Sequence, residues 1–231
     1  MSTQPAAQRT RIKVCGLTRD QDVLTAVAAG VDAIGFVLYE NSPRYVSIHR
    51  AAELASRLPP FVTPVLLFVN APALRISEAC AAIPGATLQL HGDETPDQCL
   101  VASQGGRFPY LCVARIPLGQ ASAQFDLVKY ALDYSGAQAI LLDAQVDGYG
   151  GSGQTFNWSL LPPNVNAHLV LSGGLSAANV GDGISQLRPR CLSLAVDVSS
   201  GVERSGPGNK GLKDPEKIHQ FVAAVRAADQ A

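Results

Sequence analysis

Eight short runs rich in Val, Ile and Leu, most of them separated by alanine-rich segments, leave this chain very few architectures. They are IKV (12–14), AIGFVLY (33–39), VTPVLLFV (62–69), TLQL (87–90), YLCVARI (110–116), AILL (139–142), HLVLS (168–172) and LSLAVDV (192–198). Segments such as DQDVLTAVAAG, SIHRAAELASRL, PALRISEACAAI, SAANVGDGISQL and PEKIHQFVAAVRAA carry helical spacing. Ser47, Ser176 and Asp214 stand where helices begin, and Pro72 and Pro215 suit first turns. Strands apolar on both faces and joined by helical crossovers belong to a parallel sheet. Eight such units in 231 residues predict an α/β fold, a (β/α)8 TIM barrel forming a single domain over residues 11–231 behind a disordered tail, residues 1–10. An open doubly wound sheet is the alternative, but its first strand should lead into G-x-G-x-x-G, and here Gly16 stands alone. The sixth helix is the weak unit, because GQTFNWSLLPPNV has room for little more than one turn before Pro162 and Pro163.

Composition narrows the partners. With 18 basic against 19 acidic residues and a net charge of -1, the chain has no electrostatic footprint for nucleic acid. A small molecule is the expected partner. The start MSTQPAAQRT has no apolar h-region, and no run approaches a membrane span. Five scattered cysteines, with no C-x-x-C pair or zinc spacing, fit reduced thiols in a cytoplasmic protein and no metal.

In a barrel of this kind chemistry collects at the C-terminal ends of the strands. Cys15 ends the first, Arg44 lies in the loop after the second, His91 ends the fourth, Asp143 the sixth, and Asp197 lies near the end of the eighth. Each has a plainer counterpart: Cys15 as a small buried hydrophobe, His91 as a loop hydrogen-bonder, Asp197 as a cap on the SSG turn. A carboxylate directly after AILL is expensive to bury unless paired or functional, which makes Asp143 hard to dismiss. Asp32 and His168 open their strands and read as structural. Gly173 and Gly174 follow the seventh strand, and Ser199, Ser200 and Gly201 the eighth, where such barrels often hold a phosphate on backbone N–H groups. A phosphorylated substrate is implied. GYGGSGQTF (148–156) reads as a flap over the mouth or a surface loop.

The segments KVCGLT, GFVLYENSPRYV, LQLHGDE, LLDAQVDGYGGSGQTFNW, LSGGLSAANV and AVDVSSGVE, in this order, resemble the signatures of the phosphoribosylanthranilate isomerase family of tryptophan biosynthesis. The resemblance implies a cofactor-free Amadori rearrangement, an aldose–ketose isomerisation that turns N-(5-phosphoribosyl)anthranilate into 1-(2-carboxyphenylamino)-1-deoxyribulose 5-phosphate. It assigns Cys15 as general base, Asp143 as general acid, Arg44 to the anthranilate carboxylate, Asp197 to the ribose hydroxyls and Gly174, Ser200 and Gly201 to the phosphate. His91 matches a recurring histidine with no role attached. A thiol works as base only if its pKa falls from about 8.5, and an aspartic acid as donor only if its pKa rises from about 3.9. Gln154 and Asn157 depart from the family's GKTFDW, and RSGPGNKGLKDPEK is slightly longer than its counterpart. Three rivals remain. A histidine-pathway isomerase has a carboxylate in place of Cys15. An indole-forming synthase needs a lysine-rich mouth, which the strand ends do not offer. A silent phosphosugar-binding barrel has no need of Cys15 and Asp143 together.

Overall fold

Alternation within each apolar run decides which side chains turn into a barrel and which turn out toward its helices. In the computed structural model, which describes residues 9–145 and 155–231, the runs form parallel strands β1 (Arg11–Cys15), β2 (Ala33–Val37), β3 (Thr63–Phe68), β4 (Thr87–Leu90), β5 (Tyr110–Ile116), β6 (Ala139–Ala144), β7 (His168–Leu171) and β8 (Ser193–Val198). They close in chain order, with β1 paired to both β2 and β8. The expected (β/α)8 barrel is therefore the fold, and closure leaves no open sheet edge.

Helices α1 (Asp20–Ala29), α2 (Ile48–Ala55), α3 (Ala73–Ala82), α4 (Pro96–Ala102), α5 (Leu127–Asp133), α6 (Val180–Leu187) and α7 (Pro215–Gln230) surround it. Their starts follow local chemistry. Ser47 caps α2 by accepting from the Arg50 amide, Thr95 and Gln98 form a capping box on α4, and Asp214 caps α7 ahead of Pro215. Ser176 lies further from its helix than its type implied, since α6 begins only at Val180. Between β6 and β7 the described residues hold one 3₁₀ turn, Trp158–Leu160, as expected from prolines that remove two backbone donors just beyond it.

Even-numbered positions of the early strands, among them Ile12, Val14, Ile34, Phe36, Leu66 and Phe68, pack outward with the helices in one large core. Truncating such a phenylalanine to alanine costs about 3–5 kcal/mol. The interior is split. Val113, Leu141 and Val170 fill its lower part, and Cys15, Val37, Leu67 and Val69 form a separate apolar group above. The remaining inward positions near the strand ends are polar.

Two boundary residues belong to the fold and not to the tail assigned from sequence. Thr10 is buried, with its amide and hydroxyl donating to Asp229 at 2.8 and 2.7 Å, and Arg9 pairs with Asp32. Asp32 also accepts from the Ile12 amide at 2.9 Å, the structural role expected at a strand start. His168 is exposed and bonds Ser193. No helix among the described residues is long and apolar enough to cross a membrane.

Candidate active site

A period of two places Lys13 and Cys15 on the same inward face of β1. The register sets Cys15 beside Gly35 of β2 and Lys13 beside Asp197 of β8. The Lys13 ammonium donates to Asp197 Oδ1 at 2.9 Å, and both side chains are buried. Gly35 provides the space: a Cβ there would lie 2.7 Å from Cys15 Sγ and 3.1 Å from Lys13 Nζ. Burial pushes the Cys15 thiol above its ordinary range, Lys13 pulls it back, and Asp197 pushes it further up. Lys13 itself is pulled down by burial, but Asp197 and Cys15 together hold it above its usual value.

Across the cleft, β6 presents Asp143. Its Oδ1 accepts from the Ala144 amide at 2.9 Å, and its Oδ2 lies 3.1 Å from His91 Nε2. His91 Nδ1 in turn lies 2.9 Å from Gln89 Nε2. Gln89 and His91 are two residues apart at the end of β4, so one strand face carries both. Gln89 Oε1 is buried without a partner among the described residues. Gly173 closes this side, since a Cβ there would sit 2.8 Å from Asp143 Oδ1.

Arg44 is buried above β2, where its Nε and Nη2 donate to Glu203 Oε1 and Oε2 at 2.6 and 3.0 Å. Lys213 Nζ reaches the same Oε1 at 3.1 Å and the Ser199 carbonyl at 3.0 Å, while Ser199 Oγ donates to the Cys15 carbonyl at 3.0 Å. Burial pulls the Lys213 ammonium down against Glu203, and burial of the Glu203 carboxyl is outweighed by Arg44 and Lys213, which hold it low. Lys213 comes from the long segment after β8, which folds back so that Lys213 bridges Glu203 in antiparallel fashion.

The turns after β7 and β8 complete the rim. Gly173 and Gly174 have φ of 77° and 64°, in the left-handed region that favours glycine. Gly201 packs so closely on the Leu175 carbonyl that a Cβ has no place there. The two turns are thus in contact.

Cys15, Arg44, His91, Asp143, Asp197, Gly173, Gly174, Ser199 and Ser200 all line one cleft. Gly201 does not line it but supports the rim. The flap assigned to 148–156 lies almost wholly outside the described residues, Gln154 included; Asn157 caps the 3₁₀ turn. Four residues of the site escaped the sequence reading: Lys13, Gln89, Glu203 and Lys213. No strand ends in lysine, but two lysines are buried close by, Lys13 within β1 and Lys213 in the loop after β8. Lys13 and Gln89 had a signal, each being a polar residue two places before a candidate in an apolar run. Glu203 and Lys213 had none.

Fold and site together define a (β/α)8 barrel with a thiol and a carboxyl group facing one mouth cleft. Residues 12–224 match the family described as N-(5'phosphoribosyl)anthranilate (PRA) isomerase. The N-(5'-phosphoribosyl)anthranilate isomerase of Methylibium petroleiphilum is 58% identical over 221 residues, 96% of each chain. That of Dechloromonas aromatica is 55% identical over 223 residues, 96% of this chain and 99% of its own. The crystal structure of phosphoribosyl anthranilate isomerase from Thermotoga maritima superposes with a TM-score of 0.80 at 36% identity, covering 94% of this chain and 99% of that one. A crystal structure of phosphoribosyl anthranilate isomerase in complex with reduced 1-(o-carboxyphenylamino)-1-deoxyribulose 5-phosphate gives a TM-score of 0.76 at 34% identity over the same shares. The chain belongs to the N-(5'-phosphoribosyl)anthranilate isomerase family.

Proposed function

We propose that this enzyme converts N-(5'-phosphoribosyl)anthranilate to 1-(o-carboxyphenylamino)-1-deoxyribulose 5-phosphate in tryptophan biosynthesis, with Cys15 as general base and Asp143 as general acid. The observation that carries the reading is that Cys15 and Asp143, on strands β1 and β6, line one cleft from different sides. An Amadori rearrangement needs two such groups. Asp143 gives a proton to the furanose ring oxygen, the C1–O bond breaks, and the nitrogen lone pair makes an iminium. Cys15 then takes the C2 proton, and the C–H electrons flow to the enolamine, which tautomerises to the ketose. The iminium's positive charge favours proton loss next to a thiolate, in a site where Sγ is otherwise hard to ionise.

The remaining residues hold the substrate. Arg44 keeps Nη1 without a partner among the described residues, so one edge of its guanidinium is available to the anthranilate carboxylate while the other is fixed by Glu203. Asp197 faces the ribose hydroxyls, and the backbone of Gly173, Gly174, Ser199 and Ser200 receives the phosphate, with Gly201 packed behind it on the Leu175 carbonyl. His91 positions Asp143. For Asp143 to give its single proton to the ring oxygen, that proton must point to substrate, so His91 Nε2–H donates to Asp143 Oδ2 and His91 Nδ1 accepts from the Gln89 amide Nε2. The cleft lining supports a small phosphosugar ligand and needs neither metal nor organic cofactor for these steps. Loss of anthranilate-adduct fluorescence on adding purified protein tests the proposal; a folded protein that leaves the fluorescence unchanged would overturn it in favour of a silent phosphosugar-binding barrel.

A further inference from the structure

We propose that Lys13 is a positioning residue whose ammonium favours the thiolate form of Cys15, fixed in place by Asp197 and given room by the missing side chain of Gly35. The inference rests on the reading of Cys15 as the base.

Three strands converge on this arrangement. From β1, Lys13 and Cys15 point the same way two residues apart. From β8, Asp197 anchors the ammonium at 2.9 Å. From β2, Gly35 leaves a space toward which both Sγ and Nζ turn, lying 2.7 and 3.1 Å from where its Cβ would stand. A side chain at position 35 would force the two apart.

The other groups facing Sγ explain why a cation is needed. Val37, Leu67, Val69 and the partly buried Tyr39 form an apolar wall that opposes charge on sulfur. Asp197 opposes it as well, and Lys213, already shared with Glu203 and Ser199, favours it more weakly than Lys13. Without Lys13 the base would face an apolar wall and a carboxylate, with only the weaker pull of Lys213 in its favour. In the proton-abstraction step the S–H bond forms as C2–H breaks, the electron pair neutralises the iminium, and Lys13 returns to Asp197 as its sole anionic partner. A purely structural ion pair in this position has no need to share a space with Sγ, and replacing it by neutral groups of like volume is often tolerated.

The test reads the thiol directly. Alkylation of Cys15 by iodoacetamide, followed by peptide mass spectrometry across pH, gives the midpoint of its ionisation, with circular dichroism as the folding control. In Lys13→Met/Asp197→Asn, which removes both charges, the midpoint should rise by at least about one pH unit, a tenfold loss of thiolate. In Lys13→Arg it should stay within about half a unit of wild type. Asp197→Asn alone leaves the ammonium with only sulfur to face, and the midpoint should fall. An unmoved midpoint in a folded double variant, or an unmoved or raised one in Asp197→Asn, would overturn the proposal and make Lys13 a structural lysine. The ascending limb of kcat/KM should follow the alkylation midpoint. If alkylation shifts and that limb does not, the role of Lys13 stands and the assignment of Cys15 as base is what fails.

Discussion

Arg44 and Glu203 form a two-point ion pair, Nε to Oε1 at 2.6 Å and Nη2 to Oε2 at 3.0 Å, in which both side chains are almost fully buried. The pair is one end of a chain that runs through Lys213 and Ser199 to the backbone of Cys15. The residue proposed to read the carboxylate is thereby coupled to the loop after β8 and to the strand that carries Cys15. Glu203→Gln would leave two buried cations facing a neutral amide. Breaking a buried pair by removing one partner costs about 3–5 kcal/mol, so the urea midpoint should drop clearly. KM for the anthranilate adduct should also rise more than the inhibition constant of a phosphosugar lacking the carboxylate. If both ligands weaken equally, Arg44 supports the scaffold and does not recognise the carboxylate.

The proposed acid and base are tested by removing each alone. Cys15→Ser keeps the shape and loses the ionisable thiol; Asp143→Asn keeps the hydrogen-bonding outline and loses the transferable proton. Each should lower kcat at least about a hundredfold, because loss of one positioned proton-transfer group typically removes 10²- to 10⁴-fold. Both contribute little to the packing of the large core, so thermal unfolding should move only slightly. Near-normal turnover by either variant would remove it from the mechanism.

How much of this was legible beforehand depends on whether a residue's neighbours are set by local periodicity. The eight strands could be read because an apolar run that feeds a parallel sheet has no polar face to disguise it. Cys15, His91, Asp143 and Asp197 could be placed because strand ends in a barrel meet at one mouth. Lys13 was hidden by its own strand: a lysine inside IKV looks like a tolerated interruption until β8 brings Asp197 beside it, and that pairing joins residues 184 apart. Lys213 was hidden more deeply, since it lies in a glycine-rich segment with every mark of a surface loop. Its burial depends on the loop folding back onto Glu203, which no spacing rule encodes. The tail boundary erred for a similar reason, because Thr10 is held by Asp229 at the far end of the chain.

Alkaline pH should destabilise the fold through a cluster on the opposite side of the barrel from Cys15. Burial pushes Cys99 and Tyr110 up to about 12, and it also pushes Cys112 and Tyr130 up. A group that binds its proton more tightly when folded stabilises the protein below its unfolded pKa and loses that contribution as pH climbs toward the folded value. For these thiols the loss begins near about pH 8.5, at about 1.4 kcal/mol per pH unit per group. The urea midpoint should therefore fall steadily between about pH 8.5 and about pH 10.5. Cys99→Ala/Cys112→Ala should start less stable, because it leaves cavities, yet decline with a shallower slope. An identical slope in the variant would assign the alkaline loss to other groups.

The phosphate site is the part of the reading that rests on backbone and not on side-chain chemistry, and it can be blocked without touching any charge. Gly174 lines the cleft with φ of 64°, a conformation that a β-branched residue adopts only under strain. Gly174→Val therefore acts twice, by twisting the turn and by filling the approach to the amides after β7. Inorganic phosphate should inhibit the wild-type enzyme competitively, and its inhibition constant should rise at least about tenfold in the variant, the loss expected when a ligand is kept from one or two charge-assisted hydrogen bonds. Gly174→Ala, which strains φ but fills less space, should lie between the two. With circular dichroism showing both variants folded, an unchanged phosphate constant would move the phosphate away from the β7 and β8 turns. The substrate would then have to lie the other way across the cleft, and C2 would no longer stand over Cys15.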